Sequence, residues 1–305
     1  MVPPELNVVT GAFGFTGRYI TRQLLAAGKR VKTLTGHPPQ QNPFRGLLSV
    51  APLNFDKPEE LAESLQGAVT LYNTYWVRFP HGKVTFDRAI ENTRTLIKAA
   101  EEAGVDRIVH VSITNASEQS PLPYFRGKGV VEETIMRSGL SYAIIRPTVI
   151  FGDGDILINN IAWFLRRFPV FVISGSGEYT IQPVFVEDVA EIAVRAGQQD
   201  ENIVVDAVGP ESYTFNEMVR LIAGKVHSKA KIVRLVPELA LILSRLVGYV
   251  VRDVVITQEE LAGLMANLLV SKHPPAGKVR ISDWLSNNAD GVGTRYASEL
   301  KRHYR

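Results

Sequence analysis

The amino-acid sequence predicts an α/β protein with a doubly wound parallel sheet and a smaller, mostly helical C-terminal region. The first two-thirds of the chain alternates short β-rich runs with longer amphipathic segments, which is typical of parallel strands joined by right-handed crossovers. After about residue 152 the pattern becomes irregular and more helical. We expect residues 1–152 to form the sheet domain, which also receives a segment from about 180–208, and residues 153–305 to form the smaller region.

Six segments of the first part have the composition of strands. In chain order they are LNVVTG, RVKTLT, LLSVAPLNF, VTLYNTYW, DRIVHVSI and YAIIRPTVIF. The sequences TGRYITRQLLAAG, KPEELAESLQG and TFDRAIENTRTLIKAAEEAG have helical periodicity, and Gly28 and Gly104 stand where helix C-caps belong. Two later pairs have the capping-box spacing that marks a helix start: Thr214 with Glu217, and Thr257 with Glu260.

Composition excludes several classes of function. The chain has 305 residues, 45% of them hydrophobic and 21% charged, as in globular proteins with a substantial core. Because cysteine is absent, disulfides, thiolate zinc sites and sulfur redox chemistry are excluded, and we expect no metal site. The net charge is +3 and the basic residues are scattered, so we expect no nucleic-acid surface. The N-terminus lacks a signal-peptide pattern, which favours a cytoplasmic location, with peripheral attachment to the inner membrane surface as an alternative.

The most apolar stretch is ELALILSRLVGYVVRDVVI, residues 238–256. Arg245, Arg252 and Asp253 interrupt it, so it is not the uninterrupted run that a membrane-crossing helix requires. Two interpretations remain open: a helix that is buried or faces a protein partner, and a helix that lies on a membrane surface with its arginines among the headgroups. The oligomeric state is also left open.

A glycine-rich loop, TGAFGFTG, joins the first predicted strand to the first predicted helix. Gly11, Gly14 and Gly17 are spaced three residues apart. Glycines at this junction allow a tight turn and bring backbone N–H groups at a helix N-terminus close to a pyrophosphate. The position of the loop, after a strand and before a helix, therefore predicts a dinucleotide-binding Rossmann domain.

The end of the second strand favours NADP over NAD as the cofactor. An NAD-binding protein often has an Asp or Glu there to hold the ribose 2′-hydroxyl. The sequence here is KTLTGHPPQQ, and no acidic residue occurs until Asp56. Thr35 and His37 occupy this region, and a 2′-phosphate is better accommodated beside these side chains than beside a carboxylate. His37 taken alone favours an exposed loop residue over a phosphate ligand.

Tyr124 and Lys128 lie four residues apart in SPLPYFRGKGVVEETI, residues 120–135. On a helix this spacing places both side chains on one face. The pair could transfer a proton, hold a cofactor without chemistry, or occur by chance. Spacing alone does not distinguish these alternatives.

Taken together, the motifs of this chain resemble the short-chain dehydrogenase/reductase superfamily in its extended and atypical branches. They cover about residues 5–195 in the order typical of the family: TGAFGFTG, HVSIT, YFRGK, RPTVIFG and VFVEDVA. GKGVVEE and IQPVFVEDVA are similar to the atypical branch that contains NmrA-like proteins and the NADPH-binding accessory subunit of respiratory complex I. The resemblance implies an NAD(P)-binding Rossmann fold.

The resemblance also implies roles for residues at matching positions. Tyr124 would be the general acid/base, Lys128 would make its phenol easier to ionise and hold the nicotinamide ribose, and Thr114 would be the catalytic Ser/Thr. The other residues expected at the cofactor are Gly11, Phe13, Gly14, Phe15, Thr16, Gly17, Thr35, His37, Asn54, Phe55, Asn73, Thr74, Ser112, Pro147, Thr148 and Val149. The residues expected in a substrate pocket are Tyr75, Trp76, Asn160, Trp163 and Gln182. Tyr75 and Trp76 could instead pack in the core under the C-terminal part.

One departure from the family narrows the substrate. Nucleotide-sugar enzymes of the extended branch usually carry an Arg before their VDD segment to bind a diphosphate. Ile181 and Gln182 stand there in this chain, so a sugar nucleotide is not expected. The aromatic runs NTYWVRF and NNIAWFLRRF favour a fairly hydrophobic small-molecule substrate. Two functions remain: an NAD(P)-dependent oxidoreductase or epimerase-like enzyme, and a non-catalytic NADP(H)-binding assembly factor, membrane-complex subunit or redox sensor.

Overall fold

The computed structural model describes residues 5–36, 38 and 42–304, which form two compact units. The first unit extends to Pro147 and includes Val186–Ala207, and the second consists of Thr148–Phe185 and the chain from Val208 onward. The sequence predicted a boundary at residue 152. The structure places the boundary a few residues earlier, after Pro147. The segment that returns to the first unit is correspondingly shorter than residues 180–208.

The element boundaries are as follows. The strands of the described residues are β1 (Leu6–Thr10), β2 (Arg30–Thr35), β3 (Leu48–Pro52), β4 (Ala68–Asn73), β5 (Arg107–Val111), β6 (Ser141–Pro147), β7 (Ile150–Phe151), β8 (Val170–Ser174), β9 (Thr180–Ile181), β10 (Val184–Phe185), β11 (Ile203–Ala207), β12 (Tyr213–Thr214) and β13 (Lys231–Leu235). The helices are α1 (Phe15–Ala26), α2 (Pro58–Leu65), α3 (Phe86–Glu102), α4 (Pro123–Met136), α5 (Leu157–Arg167), α6 (Val186–Ala196), α7 (Phe215–Lys225), α8 (Pro237–Val251), α9 (Gln258–Met265), α10 (Ile281–Asn288) and α11 (Glu299–His303).

The first unit contains a seven-stranded parallel sheet with the strand order β11-β6-β5-β4-β1-β2-β3. This confirms the doubly wound fold. Helix α1 packs against α6, and α3 packs against both α2 and α4. The chain builds the sheet outward from β1 in one direction and then from β4 in the other. The carboxyl ends of β1 and β4 therefore form the switch point at which such sheets bind ligands.

The helix boundaries follow from local sequence. Gly28 directly follows the C-cap residue of α1, and Gly104 directly follows that of α3. Their φ angles are +72° and +70°. Both predicted capping boxes are present, at the starts of α7 and α9. The run YAIIRPTVIF contains two strands instead of one, because β7 pairs with β10 of the second unit.

The returning segment is held to the sheet by buried polar contacts. Arg107, at the start of β5, is 4% exposed and donates from Nε to the Ala196 carbonyl at 2.9 Å and from one terminal nitrogen to the Glu201 carbonyl at 2.6 Å. Tyr72 of β4 lies so close to Gly197 that a Cβ there would be 2.1 Å from the phenol oxygen. These contacts explain why α6 and β11 belong to the first unit.

In the second unit, helices surround three two-stranded sheets: β10-β7, β12-β9 and β13-β8. Its core contains apolar side chains from α5, α7, α9 and α10, among them Ile161, Met218, Leu264 and Leu285. Helix α8 differs from the others, because Gly248 is its one buried residue. None of the helices in the described part of the chain is long and apolar enough to cross a membrane.

An ion pair inside the first unit fixes α4 against β6. The Glu132 carboxylate is 1% exposed, and both of its oxygens accept hydrogen bonds from the Arg146 Nε, at 3.0 and 3.2 Å, with a further bond from an Arg146 terminal nitrogen. This bidentate geometry compensates for part of the cost of removing the carboxylate from water. Because α4 also carries Tyr124 and Lys128, the ion pair sets the position of the candidate catalytic helix.

Removing Arg146 should therefore destabilise the protein strongly. We expect Arg146→Met to lower the free energy of unfolding by about 3 kcal/mol, because it leaves a buried carboxylate without its partner. Urea denaturation followed by circular dichroism measures the change. Arg137→Met is the matched control, since Arg137 pairs with Glu133 at the surface, and we expect it to cost under about 1 kcal/mol. Equal losses in the two variants would contradict the assignment.

Candidate functional site

The first component of the site is the loop between β1 and α1. Gly11 has φ +70°, which glycine adopts without strain, and its carbonyl accepts from the Gly14 N–H at 2.8 Å. A Cβ on Gly17 would lie 2.2 Å from the Gly11 carbonyl oxygen, so position 17 requires glycine. The loop backbone is thereby brought close to the first turn of α1, at Phe15 and Thr16. There the N–H groups have no intrahelical acceptor and can bind an anion.

The ends of β1 and β4 are joined by hydrogen bonds around Asn73. Its side-chain oxygen accepts from Thr10 Oγ1 at 3.1 Å and from the Tyr75 N–H at 3.0 Å, and the residue is fully buried. The Thr74 N–H donates to Thr10 Oγ1 at 2.8 Å, and the Thr74 hydroxyl donates to the Thr10 carbonyl at 2.6 Å. Asn73, which was expected to contact the cofactor, holds the switch point together through its amide.

His110 continues this network from β5. Its Nδ1 lies 3.0 Å from the Asn73 side-chain nitrogen. Because the Asn73 oxygen already accepts two hydrogen bonds, the nitrogen donates and His110 Nδ1 accepts. Burial and the positive charge of Lys128 lower the pKa of His110 well below its usual range, so the ring is neutral with its proton on Nε2. That Nε2 is buried and has no hydrogen-bond partner among the described residues.

Lys128 lies at the centre of the candidate site and is 3% exposed. Its Nζ donates to the Val111 carbonyl at the end of β5, at 2.8 Å, and lies 4.7 Å from the centre of the Trp76 ring. The latter is a cation–π distance. Burial lowers the pKa of Lys128 to about 7, although the Glu132 carboxylate acts to raise it. The charge of Lys128 is therefore sensitive to pH near neutrality.

Tyr124 lies one helical turn before Lys128, in the first turn of α4, and is partly exposed. Its ring makes edge-to-face contacts with Trp76 and Phe86, at centroid distances of 6.1 and 5.8 Å. Trp76 in turn stacks on Phe86 at 6.2 Å. The Tyr75 phenol oxygen accepts from the side chain of Asn92 at 2.8 Å. Tyr75 and Trp76 thus pack against α3 and α4 within the first unit.

Two hydroxyl groups follow β5 on the same side of the chain. The Thr114 hydroxyl donates to the Arg146 carbonyl at 3.0 Å, and its N–H donates to the Pro147 carbonyl at 2.9 Å. The Ser112 N–H donates to the Ile145 carbonyl at 2.7 Å. The Ser112 hydroxyl is buried and has no hydrogen-bond partner in the described part of the chain. Of these two hydroxyl groups, that of Ser112 therefore has unused hydrogen-bonding capacity.

The residues expected near the adenosine follow β2 and β3. Thr35 ends β2, and its carbonyl accepts from the Leu53 N–H at 3.0 Å. The Asn54 side-chain oxygen accepts from the Asp56 N–H at 3.1 Å, which fixes the turn after β3. The aromatic rings of this region contact other rings: Phe13 with Phe44, Phe15 with Tyr19, and Phe55 with Tyr75. His37 lies outside the described residues.

Five expected site residues lie in the second unit and contact other residues of that unit. The Thr148 hydroxyl donates to the Gln182 carbonyl, and the Val149 carbonyl accepts from the Val184 N–H at 2.9 Å. The Gln182 amide donates to the Gly209 carbonyl at 2.9 Å and accepts from the Ser271 N–H at 3.1 Å.

Asn160 and Trp163 hold the C-terminal segment of the second unit. The Asn160 amide donates to the Ala297 carbonyl and accepts from its N–H, both at 2.9 Å. Trp163 contacts Tyr296 edge to face at 5.1 Å. The side-chain amides of Asn160 and of Gln182, expected in a substrate pocket, are thus engaged in holding backbone, and the structure gives both a structural role.

Sequence reasoning did not single out three residues of the site: Thr10, His110 and Glu132. Thr10 directly precedes Gly11, and His110 is a polar residue within the otherwise apolar strand DRIVHVSI. These two positions are the sequence features by which Thr10 and His110 could have been identified. Glu132 had a weaker one, its spacing of four residues from Lys128, which places the two on one face of α4.

The residues of the first unit fit a dinucleotide cofactor. The glycine loop excludes side chains at positions 11 and 17, and the first turn of α1 presents backbone N–H groups. Buried polar atoms without partners in the described residues lie at the carboxyl end of β5, at Ser112, and after β4, at the Trp76 Nε1. A bound nicotinamide ribonucleotide would offer such atoms hydrogen-bonding groups.

Comparison with known proteins supports the resemblance. A family model described as NAD(P)H-binding matches residues 11–158, just under half of the chain. The match supports the resemblance to the extended and atypical branches of the short-chain dehydrogenase/reductase superfamily. The matched residues are those of an NAD(P)H-binding domain.

Relatives of known name point to different roles. The chain is 26% identical over 247 residues to NADH dehydrogenase (ubiquinone) 1 alpha subcomplex subunit 9, mitochondrial, of Arabidopsis thaliana, with 74% of this chain and 59% of that protein covered. It is 28% identical over 232 residues to the ceramide reductase of Caulobacter vibrioides, covering 74% of this chain and 72% of that protein. The chain thus spans about three-fifths of the length of the subunit 9 relative.

The fold is shared with solved structures. A nucleoside-diphosphate-sugar epimerase from Staphylococcus aureus superimposes with a TM-score of 0.72 at 17% identity, covering 92% of this chain and 99% of that one. At this identity the similarity establishes the fold alone.

Gly17 provides a test of the cofactor site. We expect Gly17→Ala to weaken binding of NADPH and NADH by about tenfold or more, because the added Cβ forces the loop away from the helix terminus. Titration calorimetry measures both affinities. Gly224→Ala is the control, since a Cβ there meets nothing within 4 Å, and it should bind as the wild type does. Unchanged affinity in Gly17→Ala would place the nucleotide elsewhere.

Burial of Lys128 predicts a pH dependence of stability. Below pH about 7 the residue is protonated in both states, and above about 10.5 it is neutral in both. Between these values only the unfolded state holds the proton, so the free energy of unfolding should gain up to ~1.4 kcal/mol per pH unit from this residue as the pH rises. Lys128→Met removes this contribution.

Denaturation at a series of pH values measures the effect. The difference in unfolding free energy between wild type and Lys128→Met should increase from pH 7 towards 10.5. Lys98→Met, at a surface position with a side chain 77% exposed, should show no such trend. If the Lys128→Met difference is flat over this range, the pKa of Lys128 is not lowered in the folded protein.

Proposed function

We propose that this protein is an NAD(P)(H)-dependent oxidoreductase or epimerase-like enzyme that acts on a carbonyl or alcohol group of a hydrophobic substrate. The observation that carries the proposal is the position of Tyr124 one helical turn from the buried Lys128, which binds the carboxyl end of β5. In the superfamily that the chain resembles, a Tyr and Lys with this spacing are the acid/base pair.

The chain's own residues account for the proton transfer. The bound nicotinamide would supply or accept the hydride. Tyr124 would donate its phenolic proton to the carbonyl oxygen during reduction, and remove the hydroxyl proton during oxidation. The ammonium of Lys128 favours the ionised phenol, since a nearby positive charge stabilises the phenolate.

The substrate oxygen would also receive a hydrogen bond from a hydroxyl of the first unit. Thr114 was expected in this role, and its hydroxyl already donates to the Arg146 carbonyl. Ser112 has a buried hydroxyl with unused capacity. We therefore assign hydrogen bonding to the cofactor or the substrate oxygen to Ser112, and Thr114 would act after rotation of its hydroxyl.

A hydrophobic substrate is supported by the surroundings of Tyr124. The rings of Trp76 and Phe86 pack around it, and partly buried Tyr75 and Val84 belong to the same cluster. The similarity to a ceramide reductase supports a lipid as the substrate class. NADPH is the proposed cofactor, because no acidic residue follows β2 before Asp56.

A second candidate is a non-catalytic NADP(H)-binding subunit or sensor. The similarity to an NADH dehydrogenase subunit favours it. In that role Lys128 would hold nucleotide without transferring protons through Tyr124, and the nucleotide would stabilise the fold by mass action.

Tyr124→Phe separates the two candidates. If Tyr124 is the general acid, turnover should fall by roughly a hundredfold or more while NADPH affinity stays unchanged. Oxidation of NADPH and NADH is followed with aldehydes, ketones, quinones and long-chain lipid ketones. Tyr142→Phe, at the amino end of β6, is the matched control and should retain activity. If neither wild type nor variant turns over any substrate, yet both retain tightly bound nucleotide, the subunit or sensor role is favoured.

A further inference from the structure

The exposed side of α8 is an apolar surface at helical spacing. Its members are Leu239, Ile242, Leu243, Leu246, Tyr249 and Val250, with exposed fractions of 52%, 53%, 37%, 62%, 88% and 76%. Residues three and four apart lie on one side of a helix, so these six side chains form one continuous stripe. We call this set the α8 stripe. A stripe of this kind on a stable protein indicates an interaction surface.

The opposite side of α8 attaches the helix to its own unit. Gly248 is buried, and a Cβ there would lie 2.6 Å from the Asp253 carbonyl oxygen. The Asp253 carboxylate accepts from the N–H groups of Glu299 and Leu300, at 2.9 and 3.0 Å, and so joins the end of α8 to α11. These contacts hold helix α8 on the side away from the stripe.

Positive charge and a cavity adjoin the stripe. Arg245 and Arg252 are exposed, and neither guanidinium group has an ion-pair or hydrogen-bond partner among the residues that the structure describes. Both line a cavity of about 700 Å³, whose walls also include Tyr249, Val254 and Ile256. This volume is within the range of small-molecule pockets, about 300–1,000 Å³. Apolar walls beside two guanidinium groups match the acyl chain and the phosphate of an anionic lipid.

A bilayer fits these features better than a second copy of the chain. Arg245 lies next to the midpoint of α8, so antiparallel pairing of two copies about that midpoint would bring two unpaired guanidinium groups together. At a bilayer the same groups would meet anionic headgroups, with their apolar stems along the stripe. Tyr249, the most exposed residue of the stripe, is of the type enriched where membrane meets water.

We propose that the α8 stripe docks on the surface of a bilayer containing anionic lipids, with Arg245 and Arg252 at the headgroups and the adjoining cavity accepting part of a lipid. The helix lies on the surface and does not cross the membrane. This inference is independent of the proposed enzymatic function, since it concerns a surface of the second unit and is tested without cofactor or substrate.

Co-sedimentation with vesicles tests the proposal. The full chain should sediment with vesicles of equal parts phosphatidylcholine and phosphatidylglycerol, and much less with phosphatidylcholine alone. Leu246→Glu should lower the partition coefficient by about tenfold or more, because it removes a leucine that the bilayer would bury and places a carboxylate among anionic headgroups. Replacing Arg245 and Arg252 with Gln should cost roughly fivefold for each, and only with the anionic vesicles.

Leu47→Glu is the matched control. Leu47 is 63% exposed in a turn of the first unit, close to the 62% of Leu246, and its variant should sediment as the wild type does. Wild-type protein that remains in the supernatant with both vesicles would overturn the proposal. So would a wild-type dimer, seen by analytical ultracentrifugation, that Leu246→Glu converts to monomer without any change in sedimentation with vesicles. In that case a second copy covers the stripe.

Discussion

The candidate site depends on how the first unit accommodates the buried ammonium group of Lys128. An ammonium removed from water needs an acceptor or a π face close to it, and Val111 and Trp76 provide these. Packing of Trp76 near the ammonium group also restricts position 127 of α4, because a Cβ on Gly127 would lie 3.0 Å from the Trp76 ring. The Arg146 guanidinium holds Glu132 one turn beyond Lys128, so the cation faces a fixed carboxylate on its own helix.

The neutral form of His110 has two causes. Burial is the larger, and the positive charge of Lys128 adds to it. The Asn73 amide donates to His110 Nδ1, which is possible only when that nitrogen carries no proton. Electrostatics and hydrogen bonding therefore select the same state. The Asn73 side-chain oxygen accepts from Thr10 Oγ1 and from the Tyr75 N–H, so one side chain joins hydrogen bonds across three neighbouring strands.

The sequence predicted the sheet and the glycine loop because both depend on local patterns. Strand–helix alternation fixes a parallel sheet, and the Gly11, Gly14 and Gly17 spacing has a steric cause that the structure confirms at Gly17. The pairing of Asn160 with Ala297 was not predictable, since residues so distant in sequence carry no joint signal. For the same reason the hydrogen bonds of Asn73 were not predictable: sequence shows an amide near the strand end, but not which neighbours it binds.

Hydropathy alone also did not show which of two apolar segments, β5 and α8, would be buried. All five residues of β5 are buried, because the strand is central and helices cover its sheet, whereas α8, in the most apolar stretch of the sequence, has a largely exposed surface. Hydropathy measures the preference of each residue for leaving water and contains no information on what covers it. The decisive difference is that α8 is fixed by Gly248 and Asp253, on the side away from its exposed leucines. Because these contacts lie on the opposite side of α8, the proposed interaction outside this chain accounts for the apolar character of the exposed stripe.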